Sequence, residues 1–63
     1  MLRANSPVPL YKQLYRQLRE AIERGEFEIG NKLPSERQMA ANHGISRITV
    51  RKAFNILKQE GYI

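Results

Sequence analysis

Apolar residues fall into three blocks with helical spacing, separated by two breaks. Over residues 9–24, Leu10, Leu14, Leu18 and Ile22 recur every four positions, and Tyr11, Tyr15 and Ala21 widen the stripe. That period predicts an amphipathic helix with Tyr11 and Tyr15 in the core. Its other face carries Lys12, Arg16, Arg19, Glu20, Glu23 and Arg24, with Glu20 and Arg24 in the favourable i,i+4 order. Pro9 suits the first helical position, where an N–H has no partner. Pro7 keeps the arm before it extended. Gly25 is a natural stop. Phe27, Ile29 and Leu33 follow around Gly30 and Asn31, as a loop tacked to the core by its apolar side chains.

A second helix is predicted over residues 35–43. Ser35 and Gln38 have the spacing of a capping box, and Pro34 with Met39 that of a hydrophobic staple. Gly44 permits the chain to turn left-handed. A third helix follows over residues 46–60, with Ser46 as N-cap and Ile45 with Val50 as a second staple. Val50, Ala53, Phe54 and Leu57 form its inward stripe. Gly61 closes it, and in a Schellman ending Tyr62 lies back on Leu57. Tyr62 and Ile63 have β-forming character.

The tight turn His43-Gly44-Ile45 between two helices is a helix-turn-helix signature. Ala40 lets the helices approach, Gly44 permits the turn, and Val50 seals the crossing. An ordinary helix hairpin satisfies the same spacing, so the exposed face of the third helix decides the reading. Opposite its apolar stripe lie Arg47, Ile48, Thr49, Arg51, Lys52 and Asn55. Arginine can bridge guanine O6 and N7, threonine can bond several bases, and an aliphatic group such as Ile48 can touch a thymine methyl. Most of this set crowds the helix N-terminus, where recognition helices meet base edges. Arg37, early in the second helix, is a phosphate or groove-edge candidate beside that helix's N–H groups. Lys32, Ser35 and Ser46 are lesser DNA-facing candidates.

Composition narrows the alternatives. Eleven Lys and Arg stand against six Glu and no Asp, a net charge of +5 and a pI near 10.1. That excess favours an anionic partner, since phosphate neutralisation releases counterions. With no cysteine and one histidine, neither a disulfide framework nor a cysteine-based zinc site is available, and no catalytic constellation stands out. His43 reads as a boundary residue of the turn. No apolar run nears the roughly 20 residues of a membrane span. The polar face of the first helix is mixed, unlike that of a membrane-surface helix. No aromatic platform for RNA is present. A helical protein-interaction module is the remaining competitor, with Tyr11, Tyr15, Phe27 and Tyr62 as anchors if exposed.

The string Pro9-Leu10-Tyr11 followed by Gln13, then Gly25, Gly30, Leu33-Pro34-Ser35-Glu36-Arg37, and Ile45-Ser46-Arg47-Ile48-Thr49-Val50-Arg51-Lys52-Ala53 resembles the DNA-binding domain of GntR-family transcription regulators. The resemblance runs from about Val8 to Ile63, and the wording of residues 46–53 is most similar to the HutC-like branch. It implies a winged-helix fold with DNA contacts at Arg37, Arg47, Thr49 and Arg51. It also implies a C-terminal domain that binds a small-molecule effector and dimerises, so that the regulator reads pseudo-palindromic operators. The string ends where the family places its first wing strand.

The expectation is therefore a mainly α, three-helix winged helix-turn-helix domain over residues 1–63, with the β wing and effector domain outside it. It is expected to act in the bacterial cytoplasm as part of a homodimeric regulator such as a repressor. It is not an enzyme and takes no cofactor or metal. Its partner is double-stranded operator DNA, with the third helix in the major groove and Ser35, Arg37, Ser46, Arg47, Ile48, Thr49, Arg51 and Lys52 as the DNA-facing set.

Overall fold

In the computed structural model, described over residues 2–27 and 33–63, three helices follow one another: α1 (Leu10–Glu23), α2 (Glu36–His43) and α3 (Arg47–Gln59). The described residues contain no strand. Tyr62 and Ile63 lie partly buried against the core. Lys32, Ile29, Gly30 and Asn31, given roles in the sequence reading, lie outside the described residues.

Each helix contributes one stripe to a single core. Leu14, Leu18 and Ile22 come from α1, Met39 and Ala40 from α2, and Val50, Ala53, Phe54 and Leu57 from α3. Leu14, Val50 and Leu57 are completely shut off from water. Burying each such side chain is worth about 1.5–3 kcal/mol, so these three carry much of a small domain's stability. The third helix packs against both of the others. Ala40 is buried at the α2–α3 crossing and Val50 seals it, the roles their spacing suggested. Phe27 and Leu33 pack on the core edge, as does Ile45 ahead of Val50.

The helix boundaries follow local chemistry. Ser35 and Ser46 are N-caps whose hydroxyls accept from the backbone N–H of Gln38 and of Thr49, each at 3.1 Å. Only half of the expected capping box forms, since among the described residues the exposed Gln38 side chain returns no bond to Ser35. Pro9 stands one position earlier than expected. It is the N-cap of α1, with extended ψ of 147°, and its carbonyl accepts from Lys12 and Gln13. Proline's fixed φ suits the cap as well as the first turn, but proline has no side-chain acceptor there. The arm before it is held by Gln13 instead. That amide accepts from the Arg3 N–H at 2.8 Å and donates to the Arg3 and Val8 carbonyls at 2.9 and 2.7 Å.

At the other end of α3, the Tyr62 N–H bonds the Leu57 carbonyl and the Gly61 N–H that of Lys58, the expected Schellman pair. Tyr62 also donates to Glu23 of α1 at 2.9 Å, and Tyr15 of α1 donates to Glu60. These ties latch the end of α3 to α1. The expected Glu20–Arg24 pair does not form. Arg24 sits at the α1 C-cap, where the chain turns back, and pairs with Glu26 at 2.6 Å. Both side chains are exposed, and such pairs contribute little.

The turn between α2 and α3 depends on Gly44, with φ of 65° and ψ of 38°. In that conformation the Ile45 N–H reaches the Ala40 carbonyl at 3.1 Å. A Cβ built at Gly44 meets no atom within 4 Å, so the demand for glycine comes from backbone conformation and not from crowding. Gly44→Ala is therefore expected to cost about 1–2 kcal/mol, the left-handed penalty of an L residue. It should appear as a lower urea midpoint at unchanged slope. An unchanged midpoint would show that the turn has another conformation open to it.

Candidate nucleic-acid interface

With one side of α3 committed to the core, its other side is fixed in outline. Arg47, Ile48, Arg51, Lys52 and Asn55 are exposed and Thr49 is half-buried. Ile48 is 65% exposed, the one large apolar side chain among the described residues left so open. A single exposed apolar side chain is ordinary on a protein surface, and this one stands among the cations of α3, where an aliphatic group can meet a base edge. Arg37 is exposed in the first turn of α2. The expected set is thus presented by the start of α2 and the first half of α3, apart from Lys32, which lies outside the described residues.

The individual side chains are held to different degrees. The Ser46 and Thr49 hydroxyls lie 2.8 Å apart, and the Ser46 oxygen also caps the helix. This couples Thr49 to the helix start and leaves its hydroxyl oriented by the cap. Lys52 reaches back over the Tyr11 ring, with Nζ 5.7 Å from its centroid. Tyr11 is thereby a half-buried platform for a cation and not the core residue that its spacing suggested. An exposed cation–π contact is worth about 0.5–1 kcal/mol, enough to bias Lys52 without fixing it.

Arg51 is held more firmly. Its Nη2 lies 3.1 Å from Glu36 Oε1, and its Nε lies 3.2 Å from Oε2 and 3.4 Å from Oε1. The pair joins the first residue of α2 to the second turn of α3. Glu36 also sits in the first turn of α2, where the helix dipole favours negative charge. Its carboxyl is held below the usual glutamate range first by the hydrogen bonds from Arg51, against a penalty from burial that comes next in size, and then by the positive charges of Arg51, Arg47 and Lys58. The Arg51 guanidinium is raised by the same partner. Both groups are solvent-accessible, so the pair is a device for orientation more than for stability.

Sequence reasoning missed both Glu36 and Tyr11 as partners. Fifteen residues separate Glu36 from Arg51, and their meeting depends on how α2 crosses α3. The only available signal was an acidic residue at the first position of α2, next to the basic face of the following helix. Among the described residues there is no cluster of three or more His, Cys, Asp or Glu that could hold a metal. No helix among them is long and apolar enough to cross a membrane.

Comparison with known proteins gives a consistent pattern. The family model described as bacterial regulatory proteins, gntR family, matches residues 10–63. The transcriptional repressor NagR of Bacillus subtilis is 47% identical over 58 residues, which is 92% of this chain and 24% of NagR. The Exu regulon transcriptional regulator of Escherichia coli K12 is 46% identical over 57 residues, 90% of this chain and 22% of that protein. The chain thus spans about a quarter or less of these curated relatives. Among solved structures, YtrA from Sulfolobus acidocaldarius, a GntR-family transcription factor, superimposes with a TM-score of 0.91 at 43% identity, covering 100% of this chain and 67% of that one.

The ion pair makes a pH prediction. Glu36 binds its proton more weakly when folded beside Arg51 than when unfolded. Its contribution to stability is therefore present above the unfolded glutamate pKa and is lost as pH falls through the lower folded value. A carbon-detected NMR titration should show the Glu36 carboxyl titrating below the ordinary glutamate value, and Arg51→Met should move it back up. Titration at the ordinary value in the unmodified chain would show that the pair is not formed in solution.

Proposed function

The chain belongs to the gntR family of bacterial regulatory proteins, and we propose that it is the DNA-binding domain of a transcription regulator, with α3 lying in the major groove of an operator. One observation carries this reading. The first half of α3 turns Arg47, Ile48, Thr49, Arg51 and Lys52 outward from a core that holds its opposite face immobile. Arg47 and Arg51 read guanine, Thr49 assists through its hydroxyl, and Ile48 takes a thymine methyl. Arg37 and Lys52 grip the phosphate backbone or the groove edge, while Ser35 and Ser46 cap the two helix starts that face it.

The parent regulator is a homodimer on a pseudo-palindromic operator, since two-fold proteins meet two-fold sites. A small-molecule effector bound by a further domain controls it in the cytoplasm. The name of NagR, a transcriptional repressor, favours repression, and the wording of residues 46–53 favours the HutC-like branch.

Fluorescence anisotropy of a labelled random-sequence duplex, titrated at several salt concentrations, tests the reading. Log affinity should fall linearly with log salt, with a slope that reports the phosphates neutralised. Absence of binding at low salt from a sample that is helical by circular dichroism would turn the reading toward a protein-interaction module. On a duplex selected by the chain, Arg47→Ala should cost about 1–3 kcal/mol and relax preference at one base pair. Lys52→Ala should weaken all duplexes alike and lower the salt slope by about 1. Unchanged discrimination in Arg47→Ala would remove that residue from base reading.

A further inference from the structure

We infer that Glu36 is a specificity-determining residue that acts through Arg51, its carboxylate occupying one edge of the guanidinium so that the other is turned toward a base. The inference rests on the DNA-binding reading above and extends it to an acidic residue on a basic face.

A free arginine is a poor reader. Its long side chain has many rotamers, and its five N–H donors satisfy phosphate as readily as a base edge. Of the three arginines of the proposed DNA-facing set, Arg37, Arg47 and Arg51, only Arg51 has an ion pair among the described residues. Glu36 engages it side-on, through Nε and Nη2 at 3.1–3.4 Å. That geometry leaves both Nη1 protons and one Nη2 proton free, the end-on fork that spans guanine O6 and N7. The anchor itself is well placed. Glu36 has a side-chain exposure of 28% against 56% for Arg51, and it stands at the first position of α2, whose cap at Ser35 fixes the backbone. The carboxylate that Arg51 meets is thus the less exposed partner of the pair.

Charge works in the same direction. A carboxylate beside Arg51 repels phosphate, so collapse of this arginine onto the backbone is disfavoured relative to its contact with a neutral base edge. Glu36 therefore lowers affinity for any duplex while raising the preference for the right one.

The 63-residue chain is used to select 20-base-pair duplexes from a randomised pool, and the base pair whose preference Arg51→Met flattens is located. Glu36→Gln should reduce preference at that base pair about tenfold, within the range one bidentate contact supplies, and should strengthen binding to a random duplex. In the Arg51→Met background, Glu36→Gln should change no base preference. If Glu36→Gln is unfolded by circular dichroism, Glu36→Asp, which withdraws the carboxylate by one carbon, carries the same comparison. The inference is overturned by unchanged preference in a folded Glu36 variant, or by a loss spread over all positions. A loss that persists without Arg51, or an Arg51→Met variant that flattens no position, overturns it too. If the unmodified chain binds duplexes and enriches sequences in any of these cases, this inference alone fails. If it enriches none, the DNA-reading proposal fails and takes this inference with it.

Discussion

Val50, Ala53 and Leu57 have no exposure to water, and Phe54 very little. The stripe they form must be covered from two sides, because α3 packs on α1 and on α2 at once. This double burial sets the rotation of α3 about its own axis. A helix pinned by one neighbour can roll. Pinned by two, it presents a fixed set of side chains outward, here Arg47, Ile48, Arg51, Lys52 and Asn55. The positions that bear charge are thus decided by the positions that bear none, and the nine-residue core cluster among the described residues acts as a jig for the surface.

The ends of α3 are secured by different means. At its start, Ser46 caps the backbone and engages Thr49, while Ile45 packs beside Val50. At its finish, a backbone turn at Gly61 is supplemented by side-chain ties from Tyr62 to Glu23 and from Tyr15 to Glu60. Arg19 joins the second tie, lying over the Tyr15 ring and donating to its hydroxyl at 3.2 Å. These ties lie at the far end of the helix from Arg47. At the end that faces a proposed groove the polar side chains are tied from within the domain, Thr49 to Ser46, Arg51 to Glu36 and Lys52 over Tyr11, while Arg47 and Ile48 stand exposed.

Much of this was legible in the sequence because it is local. Helical periodicity, serine caps and glycine stops each act within a turn or two, and all three helices, the Schellman ending and the crossing at Ala40, Gly44 and Val50 follow from them. The outward set on α3 was legible for the same reason, being the complement of its apolar stripe. What escaped was written across the fold. Glu36 meets Arg51 only once α2 and α3 have crossed, and Lys52 meets Tyr11 only once α1 and α3 have packed. Tyr11 was misassigned because periodicity places a residue on a stripe and is silent on whether the edge of that stripe meets a core or a cation. Arg24 pairs with Glu26 and not Glu20 because the chain turns left-handed at Gly25, just after it, and Glu26 follows two residues on.

The grip of Gln13 on the arm has a use beyond holding it. One primary amide takes a bond from the Arg3 N–H and gives one proton to the Arg3 carbonyl and one to the Val8 carbonyl. Both amide protons are therefore committed, and to two inequivalent acceptors. In a docked arm their two resonances are displaced from the positions of a solvated glutamine amide, each by its own acceptor. In a released arm they collapse into the narrow region of solvated glutamine amides. The chain thus carries a native spectroscopic reporter of whether residues 2–8 are seated, with no label attached to it.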